Sequence, residues 1–393
     1  MKLARRLDHI EPFYVMECAK TAREIAASPA CDPRRGGEPM IYLNIGEPDF
    51  TAPPLVQEAA ERAIRSGATQ YTQATGLPEL RERLSAWYRQ RFGLDIPARR
   101  IVITAGASAA LQLACLALFE AGDEVLMPDP CYPCNRHFVA AAEAVAHLLP
   151  ASPEHRFQLD AQAVSQAWGP ATRGVLLASP SNPTGTSIHP DEMRRIVEFV
   201  RSREGVTIVD EIYLGLSYDD TYGHSALRFG DDVVSVNSFS KYFNMTGWRL
   251  GWLVLPEALV APVERLAQNL FICASTIAQH AALACFERES IAEYERRRSE
   301  FRARRDLVVP SLHQLGLRVP VMPDGAFYAY ADCRQHASSS WDFCFDLMHR
   351  AHVALTPGRD FGRHEPEAWL RLSFATSTAK LEEALHRLKR ALG

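Results

Sequence analysis

The sequence is poor in lysine. Of its 43 basic residues only five are lysines, at positions 2, 20, 241, 380 and 389, and the remaining 38 are arginines. Four of the lysines lie near the two ends of the chain, where a solvated charge is ordinary. Lys241 instead follows the apolar run VVSVNS and stands among serines and aromatic residues. A positive charge in such a setting needs a partner or a reason to be neutral.

Other features are missing as well. No apolar run approaches the length of a membrane span, and the basic N-terminal stretch MKLARRLDHIEPF has no apolar core of a secretory signal. The nine cysteines are an odd number without a regular framework, which is typical of free thiols in a reducing cytosol. A net charge of −4 gives no general attraction to nucleic acid or anionic membrane. We therefore expect a cytoplasmic protein that binds neither.

The common nucleotide and metal motifs are also absent. No lysine follows a glycine, so the phosphate-binding motif GxxxxGK[ST] is excluded, and no GxGxxG follows a predicted strand. Cys131 and Cys134 form a single CxxC without the second pair that a zinc site needs, so we predict no metal site. The basic stretch 295–305 is interrupted by glutamates, which favours a solvated helix over a nucleic-acid surface.

What is present is an alternation of short β-rich runs with longer helical stretches. The apolar content of 47% supports a large core. Helices are predicted between the strands, for example over 108–122 and 189–204, and this alternation indicates an α/β fold with a mostly parallel central sheet flanked by helices. The predicted strands are IVIT (101–104), EVLMPD (124–129), RGVLLAS (173–179), VTIVDE (206–211) and VVSVNS (233–238).

The texture of the chain changes after about residue 290. A long arginine-rich helix is followed by shorter strands in AFYAYAD and WLRLSFAT. We predict a large domain over residues 55–290 and a smaller α+β domain over 291–393, which the N-terminal segment 1–54 joins.

Polar residues follow the predicted strands one after another. Ligands of doubly wound sheets bind beyond the carboxyl ends of the strands, so these residues are expected to line one pocket. They are Gly106 and Ser108, Tyr132, Asn182, Asp210, and Ser238 with Lys241.

The chemistry of these groups suggests a ligand. A desolvated Lys241 is a nucleophile toward a carbonyl, and Asp210 is a carboxylate facing the same crevice. Ser238, Arg249 and the start of a helix at 106–108 would bind a phosphate dianion. With Tyr132 as a stacking partner, the set matches pyridoxal 5′-phosphate, which is bound by a lysine and an acidic partner of its ring nitrogen.

Several motifs now reveal a family resemblance. They run from LNIGEPDF through YTQATGLPELRE, TAGASAALQL, DPCYPC, SPSNPTGT, VDEIYLGLSYD and SFSKYFNMTGWRLGW to RLSFAT. In that order they resemble a fold-type I pyridoxal-phosphate enzyme of the class I/II aminotransferase family. The resemblance implies that an amino acid donor and a 2-oxo acid acceptor react in turn, by a ping-pong mechanism, at one site.

The resemblance also implies roles for individual residues. Lys241 would form the internal aldimine with the cofactor and, once freed by substrate, move the Cα proton. Asp210 would keep the ring nitrogen protonated, Tyr213 and Asn182 would bind the phenolic oxygen of the ring, and Tyr132 would stack on it. The residues implied in phosphate binding are Gly106, Ala107, Ser108, Ser238 and Arg249, with Ser240 close by.

The substrate and the neighbouring subunit are assigned in the same way. Arg371 would bind the substrate α-carboxylate, helped by Asn182 and the backbone at Gly46. Tyr71 would reach the phosphate of the neighbouring subunit, so that a homodimer with shared sites is expected.

The identity of the substrate stays open at this point. Relatives that prefer aspartate often carry a lysine where this chain has Ser108, and Phe13 and Tyr14 offer aromatic surfaces near the expected pocket mouth. We therefore predict a donor with a neutral, apolar or aromatic side chain, and 2-oxoglutarate or pyruvate as acceptor. The alternatives are an aspartate aminotransferase, whose side-chain cation would be an arginine from elsewhere, and a β-eliminating lyase, decarboxylase or synthase on the same fold.

Overall fold

The computed structural model describes residues 2–12 and 14–393. Phe13, which the sequence suggested for the pocket mouth, lies outside the described residues. Within the described ranges no helix is both long and apolar enough to cross a membrane.

Helices and strands alternate through most of the chain. The α-helices are α1 (Tyr14–Ala26), α2 (Pro54–Arg65), α3 (Pro78–Phe92), α4 (Gly106–Leu118), α5 (Pro133–Ala141), α6 (Ala161–Ala167), α7 (Pro190–Ser202), α8 (Glu257–Leu270), α9 (Thr276–Leu283), α10 (Arg288–Gln314), α11 (Ser340–Arg350) and α12 (Thr378–Leu392). The strands are β1 (Ile41–Tyr42), β2 (Ile101–Thr104), β3 (Glu124–Asp129), β4 (Val145–Pro150), β5 (Thr172–Ala178), β6 (Val206–Asp210), β7 (Val234–Ser238), β8 (Gly251–Val254), β9 (Tyr328–Asp332), β10 (Val353–Ala354), β11 (Thr356–Pro357) and β12 (Trp369–Ser373).

The largest sheet has the strand order β2-β8-β7-β6-β5-β3-β4. Its strands are parallel except β8, which pairs antiparallel with both β2 and β7. The predicted mostly parallel α/β sheet is therefore confirmed, and the five predicted strands agree with β2, β3, β5, β6 and β7 to within one residue at each end. The sequence analysis missed β4 and β8.

Alternating side chains explain why helices cover both faces of this sheet. Ile101 and Ile103 of β2 belong to one buried apolar cluster, and Val102 between them belongs to another. Successive residues of a strand point to opposite faces, so both faces of β2 are apolar and both need a covering layer. Helices supply it, because a parallel sheet is built through crossover connections.

A smaller three-stranded antiparallel sheet has the order β11-β12-β9. Near it β1 pairs in parallel with β10, so that Ile41 lies opposite Val353. This pairing brings the N-terminal segment against the C-terminal part of the chain. The domain boundaries inferred from the sequence stay a prediction, and α10 continues across the boundary expected at residue 290.

The orientation of the strands gathers the polar residues. Because β2 and β7 are both antiparallel to β8, their carboxyl ends lie at the same edge of the sheet as those of β3, β5 and β6. The segments that follow these strands therefore converge on one edge.

Candidate active site

A cavity of about 550 Å³ lies at this edge of the sheet. It brings together most of the residues that the sequence analysis selected. Those in its wall are Gly46, Ala107, Ser108, Tyr132, Asn182, Asp210, Tyr213, Ser238, Ser240, Lys241, Arg249 and Arg371.

Lys241 lies three residues beyond the end of β7, and its amine reaches into the cavity. The Nζ atom donates a hydrogen bond to the carbonyl oxygen of Gly46, at 2.7 Å. It also lies 5.6 Å from the ring centroid of Tyr213 and 5.7 Å from that of Phe327. The amine is thus enclosed by aromatic rings and held by one backbone acceptor.

Desolvation lowers the pKa of Lys241 to about 8. The positive charges of Arg371 and Arg249 lower this pKa further, while the carboxylates of Glu47 and Asp210 raise it. A substantial fraction of the amine is therefore neutral at pH 7 to 8, as a nucleophile requires.

Asp210 is the last residue of β6 and is 3% exposed. Its carboxylate accepts a hydrogen bond from the backbone N–H of Ile212 at 3.2 Å and another from the side chain of Asn135. Burial raises the pKa of Asp210 to about 7. Asn135, in the first turn of α5, was missed by the sequence analysis, and its position three residues after Tyr132 was the available signal.

The amino end of α4 forms a cradle with the segment after β7. Gly106 adopts a φ of +83°, which favours glycine, and a Cβ atom there would lie 2.7 Å from Nη2 of Arg249, so a side chain would displace the guanidinium. Ser238 Oγ accepts a hydrogen bond from the backbone N–H of Ser240 at 3.0 Å. A guanidinium, hydroxyls and the N–H groups of a helix start make an anion-binding arrangement.

Arg371 lies on β12 and is 4% exposed. Its Nη1 donates to Oδ1 of Asn182 at 2.8 Å, and its Nη2 donates to the carbonyl oxygen of Asn44 at 2.7 Å. No carboxylate pairs with it among the described residues, and its Nε has no partner there. A buried guanidinium that forms no direct salt bridge and keeps its Nε donor unused is suited to receive the carboxylate of a ligand.

Tyr213 and Tyr328 join through their hydroxyl groups, whose oxygens are 2.8 Å apart. The ring of Tyr328 also lies 4.5 Å below the guanidinium carbon of Arg371. A Cβ at position 46 would lie 2.2 Å from the hydroxyl of Tyr328, so the backbone at Gly46 passes directly over it. Tyr328 was not selected from the sequence, although it begins a strand next to the one that carries Arg371.

Comparisons with known proteins identify the family of the chain. The family model "Aminotransferase class I and II" matches residues 38–388. The chain belongs to this family. A valine–pyruvate aminotransferase of Mycobacterium tuberculosis is 38% identical over 380 residues, covering 96% of each chain, and an aspartate aminotransferase of Pyrococcus horikoshii is 35% identical over 358 residues, covering 90% of this chain and 91% of the relative.

The fold agrees as well. The crystal structure of an aminotransferase from Mycobacterium tuberculosis superimposes with a TM-score of 0.94 at 38% identity, covering 100% of this chain and 99% of that one. The protein is thus a fold-type I aminotransferase, and as a member of this family it depends on pyridoxal 5′-phosphate.

Apart from Gly106, which lies against Arg249 in the anion cradle, two predicted residues of the aminotransferase lie outside the cavity wall. Tyr14 is the first residue of α1, and its ring packs edge-on against Trp341 at 5.7 Å. The face of α1 that carries Tyr14 and Cys18 packs against α11, so Tyr14 lies outside the cavity wall, and its role in substrate binding stays a prediction. Tyr71 is 79% exposed, and its role toward a neighbouring subunit stays a prediction.

The adjoining face of α1 supplies a part of the wall that the sequence analysis did not identify. Val15, Ala19 and Arg23 recur at four-residue intervals, and these residues line the cavity together with Met16. Ile45 continues the same wall. The spacing of these residues was visible in the sequence, but the direction in which the helix faces was not.

Proposed function

We propose that this aminotransferase takes its amino group from an amino acid with a neutral, apolar or aromatic side chain and passes it to a 2-oxo acid at the same site. The observation that carries the proposal is the apolar surface in the cavity. Met16 is 55% exposed and Ile45 is 44% exposed, and both line the cavity beside Val15. An apolar substrate side chain would cover this surface and remove it from water.

The groups around the cavity fit pyridoxal 5′-phosphate. When bound, this cofactor supplies an aldehyde that bonds covalently to an amine and a ring that withdraws electrons from the substrate Cα. Lys241 offers the amine, and Asp210 offers a buried carboxylate suited to a protonated ring nitrogen. The anion cradle consists of Gly106, Ala107, Ser108, Ser238, Ser240 and Arg249.

Lys241 and Asp210 have complementary roles in proton transfer. The lowered pKa of Lys241 lets its amine accept the substrate Cα proton at neutral pH and release it again. Asp210 is buried and forms no direct salt bridge within the part of the chain that the structure describes, so an adjacent pyridinium proton would stabilise its ionised form. Tyr213 and Asn182 would bind the phenolic oxygen of the ring, and Tyr132 would stack on it.

Arg371 receives the α-carboxylate of each substrate. Asn182 and the carbonyl oxygen of Asn44 hold its guanidinium in place, and the ring of Tyr328 supports it from below. Because this orientation exists before substrate arrives, little ordering is needed on binding. Because Gly46 has no side chain, its backbone lies close to the hydroxyl group of Tyr328.

Resemblance to a relative supports the neutral donor. The name of the Mycobacterium tuberculosis relative contains valine, an amino acid with an apolar side chain, and that protein is 38% identical to this chain. A serine at position 108 leaves the cavity wall there without a cation.

A second candidate is an acidic substrate, as the name of the Pyrococcus horikoshii aspartate aminotransferase suggests. The observation in its favour is Arg23, which lines the cavity and whose side chain forms no hydrogen bond or ion pair with another described residue. An exposed arginine at the mouth suits the distal carboxylate of a dicarboxylic acceptor such as 2-oxoglutarate, and it can turn into solvent when the substrate is apolar.

A half-reaction screen tests these assignments. The absorbance of the bound cofactor is followed while each amino acid is added separately, and a neutral donor is expected to convert the enzyme at least tenfold faster than aspartate. In the reverse direction Arg23→Gln should slow reaction with 2-oxoglutarate but not with pyruvate. Lys20→Gln, on an exposed face of the same helix, is the matched control. If aspartate is the fastest donor, the neutral-donor proposal is wrong.

The assembly is part of the proposal. The chain acts as a homodimer in which Tyr71 reaches the phosphate site of the neighbouring subunit, as its high exposure permits. Residues 55–290 form the cofactor-binding domain, and residues 291–393 with 1–54 form the smaller domain that carries Arg371. The compartment proposed is the cytoplasm, because the buried cysteines are free thiols.

A further inference from the structure

Asp360 is a buried carboxylate that the reaction described above does not use. It lies between β11 and β12, is 1% exposed, and is not part of the cavity wall. Its Oδ2 atom has no hydrogen-bond partner among the described residues. Burying a carboxylate with an unsatisfied oxygen costs stability, so a compensating interaction is expected.

The first compensation comes from α1. The Oδ1 atom of Asp360 accepts a hydrogen bond from the backbone N–H of Tyr14 at 2.9 Å, and the N–H of Val15 also stabilises the carboxylate. These are the first two residues of α1, whose N–H groups have no acceptor within the helix. Asp360 therefore caps α1 from a position 346 residues away in the chain.

The second compensation comes from arginine side chains. Burial raises the pKa of Asp360 to about 6, and the positive charge of Arg371 is the largest effect that opposes this rise. The charge of Arg136 opposes the rise as well, and its Nη1 and Nη2 donate hydrogen bonds to the backbone carbonyl oxygen of Asp360 at 3.5 and 3.4 Å. One carboxylate thus lies between the start of α1 and the arginine assigned to the substrate carboxylate.

The position of α1 matters because its next residues form the cavity wall. Val15, Met16, Ala19 and Arg23 all line the cavity. A displacement of the helix start would move this wall away from Arg371 and change the space left for a substrate side chain.

We propose that Asp360 is a positioning residue that holds the start of α1 beside Arg371, and so aligns the wall for the substrate side chain with the site for the substrate carboxylate. This inference rests on the proposed role of Arg371. Asp360 touches neither substrate nor reacting atoms, and it acts through the backbone of Tyr14 and Val15.

Two substitutions at position 360 distinguish the loss of the hydrogen-bond acceptor for α1 from the loss of the negative charge. Asp360→Ala removes the acceptor and should raise the KM for the best neutral donor at least tenfold, with kcat within threefold of the parent enzyme. It should also reduce the preference for that donor over aspartate at least threefold. Asp360→Asn keeps an oxygen acceptor for the N–H of Tyr14 and should restore KM to within threefold. Asp346→Ala, on the exposed face of α11, is the matched control.

A reciprocal pair at position 14 tests the same contact from the helix. Proline is tolerated at the first position of a helix and has no N–H, so Tyr14→Pro removes the donor, whereas Tyr14→Ala removes only the ring. Tyr14→Pro should raise KM more than Tyr14→Ala does. Its effect and that of Asp360→Ala should be less than additive, because both remove one interaction.

Hydrogen exchange of the holoenzyme gives a readout that does not depend on activity. Asp360→Ala should accelerate amide exchange in residues 14–19 at least tenfold while exchange in β6 and β7 stays unchanged. Unchanged exchange and unchanged KM in Asp360→Ala overturn the inference. If Asp360→Ala does not fold, unchanged KM and exchange in Tyr14→Pro overturn it instead. A failure of the neutral-donor proposal appears in the parent enzyme's own donor screen, whereas the exchange experiment tests Asp360 alone.

Discussion

The Nζ atom of Lys241 donates a 2.7 Å hydrogen bond to the carbonyl oxygen of Gly46. The two residues are 195 positions apart, and the contact joins the segment after β7 to the segment after β1. A single backbone acceptor satisfies one of the three donors of an ammonium group, so the bond holds the amine in place without fully compensating its charge. Desolvation therefore still lowers the pKa of Lys241.

Reduction of the holoenzyme with borohydride should attach the cofactor to Lys241 alone. The amine of Lys241 is enclosed in the cavity, whereas the lysines at positions 2, 20, 380 and 389 are exposed. Peptide mass spectrometry locates the adduct, and Lys241→Ala should bind the cofactor without forming one. An adduct on a different lysine would refute the assignment.

Removing the amine should change the pH dependence of stability in the cofactor-free protein. Because the pKa of Lys241 is lowered to about 8 from an ordinary value of about 10.5, the folded protein pays a penalty for holding the protonated amine below pH 8. Lys241→Met should raise the free energy of unfolding at pH 7 by roughly 1–3 kcal/mol, and this gain should shrink toward pH 10.5.

Urea unfolding at pH 7 and pH 10 measures the difference between the two proteins. Lys20→Met, which alters an exposed lysine, should show no such pH dependence. An equal effect of Lys241→Met at both pH values would contradict the lowered pKa.

Asp210→Asn should also stabilise the cofactor-free protein, but at high pH and not at low pH. The pKa of Asp210 is raised to about 7, so the folded cofactor-free protein binds a proton that the unfolded chain has released above pH 4. Stability is therefore lost as the pH rises toward 7, and Asp210→Asn should be more stable than the parent protein at pH 8 by a few kcal/mol but not at pH 4. Turnover should fall by about three orders of magnitude, because no charge holds the proton on the cofactor ring.

Thermal unfolding at pH 4 and pH 8 measures the predicted change in stability, and a turnover assay measures the predicted loss of activity. Asp220→Asn, in an exposed loop, is the control. Near-normal turnover of Asp210→Asn would exclude the proposed role of this carboxylate.

Two substitutions at Asn182 should weaken substrate binding to different extents. Asn182→Ala removes the acceptor of Arg371 Nη1, and a hydrogen bond to a charged group contributes about 1.5–3 kcal/mol, so kcat/KM should fall roughly 10- to 150-fold. Asn182→Asp places a carboxylate against the guanidinium of Arg371, where it competes with the substrate. Its KM should rise further than that of Asn182→Ala, and equal KM values would argue against Arg371 as the carboxylate site.

Shared sites in a homodimer predict complementation between two inactive chains. Tyr71→Ala chains mixed with Lys241→Ala chains should form dimers in which one site keeps both groups. Random mixing should restore about a quarter of the parent activity, because half the dimers are mixed and each has one intact site. Activity of the mixture no higher than that of the separate variants would contradict the role of Tyr71, as would a fully active monomer.

Local patterns in the sequence were sufficient for most of the large sheet and for the centre of the site. The apolar strand runs and the helices between them predicted parallel strands, and parallel strands bring their carboxyl ends to one edge. For that reason Asp210, Asn182 and Lys241 were expected to meet although they are far apart in the chain, and the cavity contains all three. The antiparallel β8 was missed because GWLV follows β7 without a helix between them.

The tertiary structure decided the contacts that join distant segments. The rotation of α1 puts Tyr14 against Trp341 and Arg23 in the cavity wall, and it depends on packing against α11 and on the cap from Asp360. The hydrogen-bond partners of the Arg371 guanidinium likewise depend on β12 lying beside residues 44 and 182. Periodicity along the chain reports which face of an element is apolar, but the neighbour of that face is chosen by packing across hundreds of residues.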